Sequence, residues 1–244
     1  MHFLRIVLIC LGLTSLSARA VTLQTPTESE VRQIVTFSFL PGSTSEAIRI
    51  YREEVVPLYE NNDAMLSFRA FREIESPIPL DLIAISSFRG MSGMDVSNAA
   101  LRDIASAAGK SLGAIYGQIG ALSSGHTDQF IEMLPSLGLG DPSASRITAL
   151  VWYQVLPGKT DAFEDALSTA LLSADGELSV PSATGRFLLS DGWHYLRFLG
   201  FGSLGQYQEY WSGATEHPAH QRIHALTVRR REVIVAAIPG LSVR

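Results

Sequence analysis

The sequence predicts an α+β fold made of two tandem ferredoxin-like (βαββαβ) units that close on one another as an intramolecular barrel. Three observations carry this expectation. An alternating run ending in Leu-Pro-Gly occurs twice, as Val35-Thr-Phe-Ser-Phe-Leu-Pro-Gly42 and Val151-Trp-Tyr-Gln-Val-Leu-Pro-Gly158, with the prolines 116 residues apart. A short apolar run ending in proline also occurs twice, as Phe130-Ile-Glu-Met-Leu-Pro135 and Val233-Ile-Val-Ala-Ala-Ile-Pro239, with the prolines 104 residues apart. Between each opening and its closing run, hydrophobic periodicity alternates between the strand and helix periods in the order β-α-β-β-α-β.

In the first unit, strands are expected near 32–40, 64–75, 81–89 and 128–134, where apolar and polar residues alternate. Helical spacing falls near 44–60, after the polar start Ser43-Thr44-Ser45-Glu46, and near 95–122. The second unit repeats the scheme with strands near 146–156, 183–190, 193–201 and 229–238. Its helices fall near 160–173, 204–212 and 217–227. Asp191-Gly192 between two apolar runs signals a hairpin, because that pair accepts the positive φ of a tight turn. Residues 138–145, rich in Gly, Pro and Ser, read as the linker between a first unit over 21–137 and a second over 146–244. A sheet with helices on one side leaves its other face bare, and the second unit supplies the cover. The expected arrangement is two sheets face to face, helices outermost, with a core or cavity between the sheets.

The first twenty residues read as a cleavable signal peptide. An apolar stretch from Phe3 to Leu13 is followed by Ala18-Arg19-Ala20, whose small residues suit cleavage after Ala20. The stretch is shorter than the ~20 apolar residues of a membrane span. Secretion or a periplasmic location follows as an expectation. Cleavage would remove Cys10, the one cysteine, and with it any disulfide or thiol nucleophile. It would leave 17 basic against 24 acidic side chains, a balance that argues against a nucleic-acid partner. No later stretch has the length and apolarity of a transmembrane helix. A monomer and a homodimer both remain open.

The segment Tyr207-Gln-Glu-Tyr-Trp-Ser-Gly-Ala-Thr-Glu-His-Pro-Ala-His-Gln-Arg-Ile223 and the two strand-Pro-Gly-helix openings resemble the dimeric α/β-barrel superfamily. That group includes the antibiotic-biosynthesis-monooxygenase-like, EthD-like and NIPSNAP-like proteins. The resemblance implies the fold and leaves the activity open, since members include metal-free oxygenases, haem-degrading oxygenases, dehalogenases and decarboxylases. His220 matches the superfamily's Ala-His position, which in haem-degrading members holds the iron ligand. Those members also use a tryptophan near the end of the third strand and an asparagine on the first. Here Phe201 stands near the former place, and neither first strand has an asparagine. No cofactor is therefore expected, with haem as the alternative.

His217, His220 and His224 share one helical stripe. The outer two stand about 10 Å apart, so an ion would use His220 and His224 plus a group from elsewhere. A solvated helix face with one packed histidine explains the same pattern, and no metal is expected. In the first strand of unit two, Val151, Tyr153 and Val155 should pack under the helices, leaving Trp152 and Gln154 toward the space between the sheets. In the third strand, Leu196 and Phe198 suit the helix side, which would put Tyr195 and Arg197 beside Trp152 and Gln154. Trp152, Gln154, Tyr195 and Arg197 thus form a candidate pocket for a small, flat, mostly apolar molecule. His220, Arg197 and Tyr195 are the candidate catalytic residues. Plain core packing, with Arg197 paired to a carboxylate, is the competing reading. Ser124-Gly125-His126 and Asp128 lie close in sequence without a nucleophile elbow to support a hydrolase. Three functions stay open: an exported ligand-binding barrel, a monooxygenase-like enzyme with or without haem, and a non-catalytic interaction module.

Overall fold

The computed structural model describes residues 29–75, 81–176 and 179–244. The signal-peptide expectation lies outside the described residues.

Unit one contains β1 (Glu30–Phe39), β2 (Met65–Glu75), β3 (Leu82–Arg89) and β4 (Ser123–Met133). Its helices are α1 (Thr44–Ile50), α2 (Val56–Glu60), α3 (Gly90–Ala107) and α4 (Leu112–Leu122), with a π-helical turn, Tyr51–Val55, joining the first two. Unit two contains β5 (Ile147–Val155), β6 (Ser182–Leu189), β7 (Tyr195–Phe201) and β8 (Thr227–Val243). Its helices are α5 (Thr160–Ala170), which runs into a second π-helical turn, Leu171–Asp175, then α6 (Leu204–Glu216) and α7 (Pro218–Ala225). Both Leu-Pro-Gly segments end in a glycine with positive φ, 83° at Gly42 and 69° at Gly158. Only glycine takes that conformation freely, so the two strands turn into their helices in the same way.

The strands form one closed barrel in the order β1-β3-β2-β8-β5-β7-β6-β4. Each half of that cycle has the split βαβ order, β4-β1-β3-β2 and β8-β5-β7-β6. The halves are therefore hydrogen-bonded edge to edge, along β2–β8 and β4–β6, and closure leaves no free sheet edge. At the second seam a Cβ on Gly185 would stand 2.6 Å from Ile131 Cδ1, so the two strands approach only because Gly185 has no side chain.

Three apolar clusters follow from the alternation of side chains along the strands. Ile34, Ile83, Leu150, Trp152, Leu196 and Phe198 belong to the one that fills the barrel interior. Phe37, Tyr51, Phe68 and Leu101 belong to the cluster beneath the helices of unit one. Val151, Tyr153, Phe163 and Tyr195 belong to its counterpart in unit two. The expected ligand cavity between the sheets is thus replaced by packed side chains over most of the barrel's length.

The expected facing of β5 agrees with the structure, and that of β7 is reversed. Tyr195 pairs with Tyr153 and Arg197 with Val151, all four on the outer, helix-covered face. Leu196 and Phe198 point inward with Trp152. Every residue of β7 is buried, so the strand has no polar side to set its phase.

Candidate functional site

The outer faces of the two half-sheets, where the helices cover them, carry the candidate sites. In unit one the space between sheet and helices holds an open cavity of about 370 Å³. Phe37, Tyr51, Tyr59, Phe68 and Phe88 supply its aromatic walls, and Leu101 of α3 and Ile119 of α4 its far side. Ala84 and Ser86 of β3 lie on its floor, and their small side chains leave the room. The Tyr59 and Tyr116 hydroxyls meet at 3.0 Å. Burial pushes both phenols above their ordinary range, so they act as neutral hydrogen-bonding groups.

Polar groups of β1 and β4 edge this cavity. Gln33 Nε2 donates to Asp128 Oδ1 at 2.8 Å, and Asp128 Oδ2 lies 3.4 Å from His126 Nε2. The His126 ring stacks on Phe37 with centroids 5.7 Å apart. Register places this pair at the rim, since His126 lies across from Phe37 and Asp128 across from Val35.

Unit two fills the equivalent space with an ionic network. Arg197, fully buried, binds Asp175 of the second π-helical turn. Asp175 Oδ1 also accepts from the Tyr210 hydroxyl at 2.7 Å and lies 3.4 Å from His220 Nε2. Burial alone would raise the Asp175 carboxyl. The His220 hydrogen bond, the Arg197 charge and the Tyr210 hydroxyl outweigh it and hold the group below the usual carboxylate range. Burial pushes the Tyr210 phenol up. Outside this network an open pocket of about 380 Å³ is lined by Trp211, His220, His224 and Arg230. Arg230 lies 4.4 Å from the Trp211 ring centroid, and Trp211 Nε1 donates to Glu232 at 2.8 Å.

The residues singled out from sequence are dispersed. Trp152 lies in the barrel interior, where its Nε1 donates to Gln129 Oε1 at 3.1 Å. Gln154 is half-buried at the end of β5 next to its bulge with β8. The Tyr195 hydroxyl donates to Glu164 of α5 at 2.5 Å. So Tyr195 and Arg197 do not join Trp152 and Gln154 in one pocket. Arg197 and His220 do come together, through Asp175. The histidine stripe separates by role: His217 Nδ1 caps α7 by accepting from the Ala219 amide at 3.2 Å, His220 is buried and His224 is exposed. Among the described residues, no group of three or more His, Cys, Asp or Glu side chains is placed to hold a metal ion. Haem ligation fits poorly at His220, because the Nε2 that would face an iron is turned to the buried Asp175 and Tyr210. Among the described residues no helix is long and apolar enough to cross a membrane.

Sequence reasoning missed Gln33, Ala84, Tyr59 and Tyr116. It noticed His126 and Asp128 only as neighbours in the chain. The missing signal was the parity of β4, whose even-numbered residues 126 and 128 face outward beside β1.

Two split βαβ half-sheets of one chain, joined at both edges with helices outside, define the dimeric α/β-barrel fold. Solved structures of that class align with most of the chain. A candidate monooxygenase from Lactobacillus acidophilus NCFM aligns with a TM-score of 0.61 at 11% identity, covering 88% of this chain and 96% of that one. An anthrone oxidase-like protein aligns at 0.59 and 12%, covering 86% and 92%. Chlorite dismutase from Candidatus Nitrospira defluvii aligns at 0.57 and 13%, covering 88% and 93%. No family model matches the sequence, and no curated protein matches it. Likeness at these identities carries the fold alone.

Proposed function

We propose that this is an exported protein that binds a small, flat, mostly apolar organic molecule in the cavity of unit one, between the outer sheet face and the helices. The cavity itself carries the reading: about 370 Å³ with aromatic walls, and with Gln33, Asn98, His126, Asp128 and the Tyr59 and Tyr116 hydroxyls set among them to orient a ring, suits such a ligand. The filled barrel interior, taken alone, would fit an interaction module, but a packed protein of that kind has no need of this open space. The likeness of the fold to an anthrone oxidase-like protein and a candidate monooxygenase agrees with a ring-shaped ligand. An uncharged hydroxyaromatic probe, 2-naphthol, tests it by calorimetry. Binding that Ala84→Leu weakens by about tenfold, about 1.4 kcal/mol, while His224→Ala leaves it unchanged, is the expected result. No binding, or loss only in the His224 variant, would overturn it.

One observation favours a catalytic, cofactor-free and monooxygenase-like version of the same reading. Asp128 stands at His126 Nε2 and leaves Nδ1 open to accept a proton. A bound hydroxyaromatic would lose its O–H proton to that nitrogen, giving the aromatic anion and the imidazolium. The anion is electron-rich enough to react with dioxygen. Oxygen uptake with a hydroxyaromatic, abolished by His126→Gln and with its pH profile shifted by Asp128→Asn, would support the enzyme. Binding with no oxygen uptake would leave the protein a binder.

A further inference from the structure

A third cavity, of about 100 Å³, opens at one mouth of the barrel. Arg32 and Arg69 lie on the inward side of their strands, because Arg32 pairs with Ser87 and Arg69 with the interior residue Ile85. Arg244 joins them in the lining. Three guanidinium groups therefore border one small space, in a chain whose net charge is −5.

Two of the three are engaged. Arg32 Nε donates to Glu30 at 2.6 Å, and its guanidinium lies 5.2 Å from the Phe198 ring centroid. Arg244 donates to Asp63 at 2.8 Å and to the Met65 carbonyl at 3.1 Å. The Arg69 side chain, half-buried, makes no hydrogen bond or ion pair among the described residues. The one acid in the lining, Asp141, turns its carboxylate to its own turn, accepting from the Ser143 amide at 2.9 Å and from the Ser143 hydroxyl. An inward guanidinium without a counter-charge is costly, and its planar fork matches two oxygens of an anion. Ser67, Ser87 and Thr148 add hydroxyl donors to the same lining.

We propose that this mouth binds a small oxyanion, a carboxylate or a phosphate, with Arg69 as its principal ligand. Only Phe68 is common to the linings of this site and the aromatic cavity, and Arg69 borders this one alone, so failure of one reading leaves the other standing. Sodium acetate and sodium phosphate, each compared with sodium chloride at matched ionic strength, are titrated into the full chain by calorimetry and thermal unfolding. Binding by the wild type that weakens by about tenfold or more in Arg69→Gln, with Arg69→Lys intermediate, is expected. Without the anion, Arg69→Gln should be at least as stable as the wild type, because it removes an unpaired cation. A response to acetate alone identifies a carboxylate as the ligand, and a response to phosphate alone identifies a phosphate. Equal responses in wild type and Arg69→Gln, or no response beyond chloride, would overturn the assignment. If Arg69→Gln does not fold, Arg69→Lys decides: unchanged affinity and stoichiometry in that variant would also overturn it, because the bidentate fork would be irrelevant.

Discussion

Val35 and Val151 hold the same place in the two units, yet Ala84 lies across from the first and Arg197 across from the second. The neighbouring cross-strand pairs differ in the same sense: Gln33 faces Ser86, whereas Ala149 faces Leu199. At the rim, Asp128 across from Val35 corresponds to Glu232 across from Val151, and His126 to Arg230. One backbone plan thus ends in an aromatic cavity on one side and a charged pillar on the other. The difference teaches that side-chain volume at β3 and β7, more than topology, decides whether a ligand-sized space opens against the sheet itself or only outside a buried network, as in the unit-two pocket beside His220 and Trp211.

The harshest way to break this comparison is to remove the pillar. Arg197→Ala leaves Asp175 buried without its cation and should cost about 3–5 kcal/mol in denaturant unfolding. Arg197→Met combined with Asp175→Asn should recover most of that loss, since both charges leave together. A single-variant cost below about 1 kcal/mol, the scale of an exposed ion pair, would show that the network is not a support.

The seam should respond next. Gly185→Val forces a side chain against Ile131, and overpacking of this kind costs about 1–3 kcal/mol. Measured by thermal unfolding, a neutral outcome would mean that β4 and β6 separate easily and that the halves are less firmly joined than the ladder implies.

The Asp175 carboxyl sharpens the contrast through pH. Its folded value is depressed, so its contribution is present above the ordinary carboxylate range, near about 4, and is lost as pH falls through the lower folded value. Urea midpoints of the wild type should fall more steeply on acidification below that range than those of Asp175→Asn. Parallel curves for the two proteins would sink the linkage.

Smallest of all should be the change at the outer rim of unit two. Arg230→Gln removes a cation from the Trp211 face and a partner from Glu232, at about 0.5–1 kcal/mol. Ligand binding in unit one should not move, a result readable by the same 2-naphthol titration.

Much of the fold was legible because it is written in periodicity. The paired Leu-Pro-Gly segments located the strand-to-helix turns, and the 104-residue spacing of the closing runs reappears between Asp128 and Glu232. The π-helical turns carry no such mark, although one of them delivers Asp175 to Arg197. The site was legible only in part. Arg197 stood out as a charge in an apolar strand and His220 by its match to the superfamily's Ala-His position, and they do meet, but in the filled unit. The open cavity arises from what Ala84 and Ser86 lack, and small residues in a strand leave no motif to find. β7, apolar on both sides, offered no alternation from which Tyr195 and Arg197 could be assigned a face.

Joining the halves in one polypeptide has a consequence for heredity as well as for assembly. When a barrel is built from two identical chains, its two-fold axis copies every substitution into both halves, so a residue that blocks one chamber blocks its twin. Here a codon change at position 84 or 197 is expressed once. One chamber can therefore harden into scaffolding while the other stays free to vary, and neither depends on how dilute the protein becomes.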